Sequence, residues 1–439
     1  MPSPDWAAPT PHAPVGAIQA TVRVPGSKSI TNRAFLLAAL AQGGTTVRHP
    51  LDSRDARLML GALATLGASS QPVADGVLVR PLRGAPNVAL GTSDVPKPAL
   101  AQRAEVDLGN AGTVARFVPP LAALGSQEVR FDGDEALYRR PIAPLLHALR
   151  GLGAEVDGDG LPFTVRGWGG LRGGEVELDS SASSQFLSAL LLSGPAFDQG
   201  VTVRLVGATP PSEPHIAMTL DLLRAFGADP QRDGARFHVP PSPLSCGAHT
   251  VEPDLSTAAP FLAAAMLTGG TVRIPDWPVA STQPGDQLRG LLGDLGGSIT
   301  VDGAGLTITG PGGFPGVELD LHEVGELTPV LAALLCFADG PSAITGVAHL
   351  RGHETDRLAA LATELSGLGA GVTETHDGLR ITPAELHGGR FHTYHDHRLV
   401  MAAAVVGLRV PGVQVEDPAT VGKTFPGFVD AWTAMLPAD

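Results

Sequence analysis

The chain has 439 residues, 43% hydrophobic and 17% charged, with a formal net charge of −14. That balance allows a large buried core in one big domain or two to three ordinary ones, and excludes a disordered chain. The acidic surplus and the 5% aromatic content argue against a nucleic-acid partner, while a locally basic cleft could still hold small anions.

No apolar run reaches the ~18 residues of a membrane span. Cys246 and Cys336 are the only cysteines, too few for a disulfide framework and without zinc-ligand spacing. Residues 1–14 lack the basic start and apolar core of a secretory signal and read as a flexible tail. A soluble, cytoplasmic protein that does not meet a membrane is expected.

The first unusual segment is Pro25-Gly26-Ser27-Lys28-Ser29-Ile30-Thr31-Asn32-Arg33, leading into an apolar helix over Ala34 to Ala41. Lysine is rare: Lys28, Lys97 and Lys423 are all there are, and arginine does the general work. A compact ammonium placed at Lys28 and again in Gly422-Lys423-Thr424-Phe425-Pro426-Gly427 suggests a need that guanidinium cannot meet.

A helical phrase ending in Leu or Phe, then Gly, then Ala or Gly, recurs at 63–68, 149–154, 223–228, 292–297 and 365–370. Each glycine suits a left-handed helix stop. Two-stranded hairpins are expected after these stops, over 70–80 around Asp75-Gly76, over 155–166, over 298–309 around Asp302-Gly303, and over 372–382 around Asp377-Gly378. With a strand and helix earlier in each unit, the repeat reads βαβαββ. About six copies fit, the last atypical, in two domains of three, with Pro240 to Cys246 as a linker.

Further loop-to-helix transitions combine small polar residues with a basic one: Leu108 to Thr113 before Arg116, Asp179 to Gln185 before Phe186, and Gly352 to Arg357 before Leu358. Helix starts offer unpaired N–H groups to phosphate or carboxylate. Singly, each also reads as an ordinary cap; together they suit a ligand set with several acidic groups. There is neither a full GxxxxGK[ST] loop nor a GxGxxG after the first strand. His392, His395 and His397 could suggest a metal, but Arg398 beside them would repel a cation.

The segments at 25–33, 108–116, Arg140-Pro141, Ser183-Ser184-Gln185, 354–358, Asp396-His397-Arg398 and 423–426, in that order, resemble the signatures of the 5-enolpyruvylshikimate-3-phosphate synthases. The resemblance runs from about Val22 to Phe428 and implies a two-domain inverted α/β barrel, each domain three βαβαββ units closing over a cleft, with the chain crossing near Gly26 and near Val251. The expected domains are 26–246, and 15–25 plus 247–439. The implied reaction moves the enolpyruvyl group of phosphoenolpyruvate to the 5-hydroxyl of shikimate 3-phosphate, in a monomer without cofactor or metal.

By resemblance, Lys28, Gly112, Arg140, Gln185, Arg357, Arg398 and Lys423 surround phosphoenolpyruvate. Lys28, Ser29, Arg33, Ser183, Ser184, Gln185, Ser212, Glu326, His349 and His353 hold shikimate 3-phosphate, and Arg116 orders a phosphate loop. Lys28, Glu326 and Glu354 are the implied catalytic groups, Glu326 accepting the hydroxyl proton and the other two handling protons on the phosphoenolpyruvate side.

Departures from the family pattern are His353 for Lys, His349 for Asn, Glu326 for Asp, Phe117 for Pro and His215 for Tyr. A cationic His353 would make substrate binding weaken as pH rises through the imidazole range. Gly112 leaves room for a glyphosate-like inhibitor, beside a wall that Phe117 could reshape. The related UDP-N-acetylglucosamine enolpyruvyl transferases typically use a loop cysteine as proton donor, which neither Cys246 nor Cys336 matches. A non-catalytic anion-binding protein on the same fold is the remaining alternative; retention of Lys28, Glu354 and Lys423 speaks against it.

Overall fold

The structure is a computed structural model and describes residues 3–9, 17–82, 102–210 and 212–437. Lys97 and residues 10–14 of the expected tail lie outside these. The chain divides into an inserted unit, Gly26–Val251, and a split unit made of Met1–Pro25 and Glu252–Asp439.

The inserted unit holds three sheets of one topology. In the first, Thr45–Arg48 pairs parallel with Ala248–Thr250 and antiparallel with Gly76–Arg80, which pairs in turn with Ser69–Val73. Arg103–Asp107, Glu128–Asp132, Phe163–Arg166 and Glu155–Asp157 repeat this order, as do Gly174–Asp179, Val201–Val206, Arg236–Val239 and Gln231–Asp233.

Six helices of nine residues or more connect the strands: α1 (Lys28–Leu40), α2 (Arg54–Thr65), α3 (Gly112–Leu124), α4 (Ala143–Gly151), α5 (Ser184–Ser193) and α6 (Glu213–Ala225). Helices α1, α3 and α5 are buried nearly all round and pack on one another, because their sequences carry almost no charge beyond the first two turns.

The split unit repeats the plan. Gln19–Thr21 lies parallel to Thr271–Pro275, followed by Gly305–Thr309 and Ser298–Asp302; Glu318–Asp320, Ser342–Thr345, Leu379–Thr382 and Gly371–Glu374 form the second sheet. Its helices are α7 (Ala259–Thr268), α8 (Leu288–Asp294), α9 (Thr328–Leu335), α10 (Arg357–Gly367), α11 (His397–Gly407) and α12 (Phe428–Met435), with α7, α9 and α11 forming the buried trio. Each unit has its own apolar core.

The repeat is visible in backbone detail. Gly67, Gly153, Gly227, Gly296 and Gly369 end their helices at φ between 90° and 106°, a conformation that costs a side chain dearly. A fifth hairpin turns at Asp233-Gly234.

Three local expectations differ from the structure. Residues 3–9 are not a loose tail: Trp6–Ala7 pairs antiparallel with Val415 and Gln414, completing a sheet in which Gly389–Phe391 and Val413–Val415 are parallel. The last repeat lacks a hairpin of its own, so the N-terminal strand fills the open edge. The inserted unit extends past 246 to Val251, because Ala248–Thr250 supplies the parallel edge of its first sheet. Helix α1 starts at Lys28 rather than Ala34, because Ser27 Oγ accepts the Ile30 N–H and caps it six residues early.

Candidate active site

In the inserted unit the expected residues gather at the first turns of the buried helices. Asn32 Nδ2 donates to Thr113 Oγ1 at 2.7 Å, linking early turns of α1 and α3. Arg33 donates to Ser188 Oγ of α5 at 3.3 Å and to Thr219 Oγ1 of α6 at 2.9 Å. These contacts hold the first turns of α1, α3 and α5 at one end of the unit. Arg33 is 1% exposed, its guanidinium lies 5.0 Å from the Phe117 ring centre, and no carboxylate is among its hydrogen-bond partners. Burial lowers its pKa to about 9, so it stays cationic at neutral pH.

Gly112 opens α3 against two guanidinium groups: a Cβ there would come within 2.6 Å of Arg140 Nη2 and 2.8 Å of Arg116 Nη1. Arg116 donates to the Gly112 carbonyl at 3.2 Å and to the Pro141 carbonyl at 2.8 Å, so it ties the Arg140-Pro141 turn to the helix start. Arg140 Nε and Nη1 are buried without a protein acceptor, and Gln185 Oε1 at the start of α5 is buried without a protein donor. Unspent donors on a guanidinium withdrawn from water are costly unless an anion completes them.

The Lys28 ammonium lies 3.9 Å from Asp55, a 5%-exposed carboxylate in the first turn of α2. Ser183 caps α5 by accepting the Gln185 N–H at 3.3 Å, so the ordinary capping role holds for that oxygen. Ser212 sits at φ 60° just ahead of α6, Ser184 is buried, and Ser29 offers its carbonyl to Arg33 Nη1 at 3.1 Å.

The split unit carries the second group. Arg357 Nε and Nη2 form a two-pronged pair with Asp396, at 2.7 and 3.1 Å, and Nη2 also reaches Glu354 at 3.1 Å. Glu354 in turn accepts from Lys423 Nζ at 2.8 Å. Burial disfavours the Arg357 charge, but Asp396 and Glu354 outweigh it and hold the group above the ordinary arginine value. Asp396 also caps α11, accepting the Arg398 N–H at 2.8 Å. Arg398 donates to the Ser256 carbonyl at 2.9 Å, and the Ser256 hydroxyl donates to Glu326 at 3.4 Å.

His353 Nδ1 is 3.1 Å from Arg357 Nη1. A guanidinium can only donate, so in this contact Nδ1 is the accepting nitrogen. His349 is pushed down to about 4, first by burial, then by the electrostatic effect of the neighbouring His322; Arg357 adds to the fall and Glu326 opposes it. His392, His395 and His397 each face a different carboxylate, Glu416, Asp417 and Asp396.

Asp55, Thr219, Ser256 and Asn32, which partner these side chains, carry no functional signal of their own in the sequence. Asp396 belongs to the Asp396-His397-Arg398 segment, but its grip on Arg357 carries no local signal in the sequence. Cys336 is buried at the end of α9 with its thiol pushed up to about 12, and the Cys246 thiol donates to the Ala248 carbonyl while partial burial raises its pKa. Neither has the low-pKa setting of a reactive thiol.

The sequence pattern of EPSP synthase (3-phosphoshikimate 1-carboxyvinyltransferase) matches residues 12–432. The chain belongs to the EPSP synthase family. A 3-phosphoshikimate 1-carboxyvinyltransferase of Kocuria rhizophila is 52% identical over 437 residues, 98% of this chain and 96% of the relative. Among solved structures, an EPSP synthase from Acinetobacter baumannii superposes with a TM-score of 0.78 at 25% identity, covering 98% of both chains. The enolpyruvyl transferase NikO from Streptomyces tendae shares the fold, with a TM-score of 0.75 at 17% identity over 99% of this chain and 98% of its own. Within the EPSP synthase fold, the two residue groups described here occupy separate units, each locked by its own hydrogen bonds.

Proposed function

We propose that this protein transfers the enolpyruvyl group of phosphoenolpyruvate to the 5-hydroxyl of shikimate 3-phosphate, releasing phosphate, as a step of chorismate and aromatic amino acid biosynthesis. The observation that carries the reading is Arg140, whose buried Nε and Nη1 lack a protein acceptor beside the open face of Gly112. Such a guanidinium fits a phosphate or carboxylate.

Phosphoenolpyruvate draws on Lys28, Gly112, Arg140 and Gln185 of the inserted unit and on Arg357, Arg398 and Lys423 of the split unit. Shikimate 3-phosphate draws on Lys28, Ser29, Arg33, Ser183, Ser184, Gln185 and Ser212, together with Glu326, His349 and His353. With Nδ1 turned to Arg357, His353 offers the second substrate an Nε2–H donor rather than a charge.

The hydroxyl oxygen attacks the central carbon of phosphoenolpyruvate while a proton is delivered to its methylene carbon. Glu326 takes the hydroxyl proton; Glu354 and Lys28 serve the methylene side. The tetrahedral adduct then loses a methyl proton, the carbon–oxygen bond to phosphate breaks, and the double bond is restored. Cations fixed in advance favour this adduct over either substrate alone.

A cytoplasmic monomer without cofactor follows from the family resemblance. Among the described residues no helix is long and apolar enough to cross a membrane. Phosphate release tests the whole: it should require both substrates together. Release with UDP-N-acetylglucosamine in place of shikimate 3-phosphate would move the assignment to the related transferases, and no release with any acceptor would leave an anion-binding protein.

A further inference from the structure

We propose that the N-terminal segment Ser3–Ala8 positions the Lys423 ammonium, with Ser3 latching Asp417 at the root of the segment that ends in Lys423. The proposal rests on the functional reading above, in which Lys423 serves phosphoenolpyruvate.

Ser3 N and Ser3 Oγ both donate to Asp417 Oδ1, at 2.9 and 2.8 Å, and Ser3 Oγ accepts the Ala419 N–H at 3.2 Å. The other Asp417 oxygen accepts from Thr420 Oγ1 at 3.2 Å and lies 3.7 Å from His395 Nδ1. One carboxylate therefore joins three stretches of chain: the N-terminus, the 3₁₀ turn Pro418–Lys423, and the residue preceding Asp396. Burial pushes the Asp417 carboxyl up, but the Ser3 N–H and hydroxyl, then Thr420 and His395, pull it below the ordinary aspartate value.

The same stretches concentrate backbone strain. Tyr394, His395 and Asp417 take φ values of 51°, 56° and 37°, in the left-handed region that residues with a Cβ seldom adopt. Such conformations persist only where surroundings over-determine them. For Tyr394 the surroundings are Glu364, which accepts its hydroxyl at 2.6 Å. For Asp417 they include Ser3.

The latch is itself anchored. Trp6–Ala7 pairs with Val415 and Gln414, the Ala8 N–H donates to the Val413 carbonyl at 3.0 Å, and the Trp6 ring stands edge-on to Phe428 at 6.4 Å. Gly407 at the end of α11 leaves room for it, since a Cβ there would come within 2.4 Å of the Ala8 methyl. From Asp417 the 3₁₀ turn then leads directly to Lys423, whose Nζ meets Glu354.

The test combines steady-state phosphate release, each substrate varied in turn, with backbone hydrogen–deuterium exchange on the full chain, for wild type, Ser3→Ala, Ser3→Thr and a chain lacking residues 3–8. Losing the two hydrogen bonds of the Ser3 hydroxyl should raise the KM for phosphoenolpyruvate about 3- to 30-fold in Ser3→Ala. The KM for shikimate 3-phosphate should stay within about twofold. Exchange over 417–424 should quicken, Ser3→Thr should restore both readouts, and the deletion should exceed Ser3→Ala. An unchanged KM for phosphoenolpyruvate, or equal rises in both KM values, would overturn the proposal even if the melting temperature fell. If wild type releases no phosphate, the functional reading fails, whereas unchanged exchange over 417–424 in Ser3→Ala refutes the latch alone.

Discussion

His349 offers a measurement whose sign and size follow from its surroundings. In the folded protein its imidazole is held at about 4 against an ordinary 6.5, by burial first and by the neighbouring His322 second. At ~1.36 kcal/mol per pH unit the difference is worth up to about 3 kcal/mol. Between these two values the unfolded chain binds the proton and the folded chain does not, so stability rises with pH across that window. The contribution is complete above about pH 6.5 and is lost as pH falls towards 4. The perturbation is His349→Asn, an uncharged side chain of smaller volume, with urea or thermal unfolding followed at several pH values. Carboxylates titrate in the same range in both proteins, so the informative quantity is the difference between them. Going from pH 7 to 4.5, wild type should lose about 2–3 kcal/mol more than the variant, or roughly 4–12 °C in the melting of a unit this size. Parallel losses in the two proteins would refute the reasoning, because they would show that the ring is free to charge in the folded state.

Other outcomes follow from the site geometry. Gly112→Ala places a methyl against Arg140 Nη2 and Arg116 Nη1; Arg116 is tied at both ends, so Arg140 must yield, and the KM for phosphoenolpyruvate should rise about tenfold, or ~1.4 kcal/mol, with an unchanged KM contradicting the assignment of Arg140. Lys28→Met should lower turnover by about 10²- to 10⁴-fold while circular dichroism still shows a folded chain, less stable to the extent that Asp55 loses the ammonium 3.9 Å away; near-normal turnover would remove Lys28 from the chemistry. Because His353 accepts from Arg357, its ring should contribute no pH dependence to shikimate 3-phosphate affinity measured by calorimetry between about pH 6 and 8. A decline that disappears in His353→Gln would show that the ring charges when substrate binds.

The repeat was legible because its signals are local. A glycine two residues past the last apolar turn, followed by Asp-Gly between short strands, specifies stop and hairpin without reference to the rest of the chain. The anion-suited helix starts were legible for the same reason. What escaped was set by distance along the chain. Arg33 meets Thr219 across 186 residues and Arg398 meets Ser256 across 142, and nothing near Thr219 or Ser256 marks either as a partner. Ser3 and Asp417 are 414 residues apart, and a Pro- and Ala-rich start reads as tail until the unfilled edge of the last sheet is seen. The early start of α1 is hidden because the apolar run marks only the later turns of the helix, whereas a serine cap and tolerant polar residues extend it to Lys28.

The parallel pairing of Gln19–Thr21 with Thr271–Arg273 sets an order of events during synthesis. The Gln19–Thr21 strand leaves the ribosome some 250 residues before its neighbour exists, and Gly26–Val251 can complete its own core meanwhile. Until then the early strand is an unsatisfied ribbon with open hydrogen-bonding edges. Nascent chains stalled after residue 251 should therefore show a protease-resistant body with a cleavable leader, and the leader should become resistant only once translation has passed the strand that receives it.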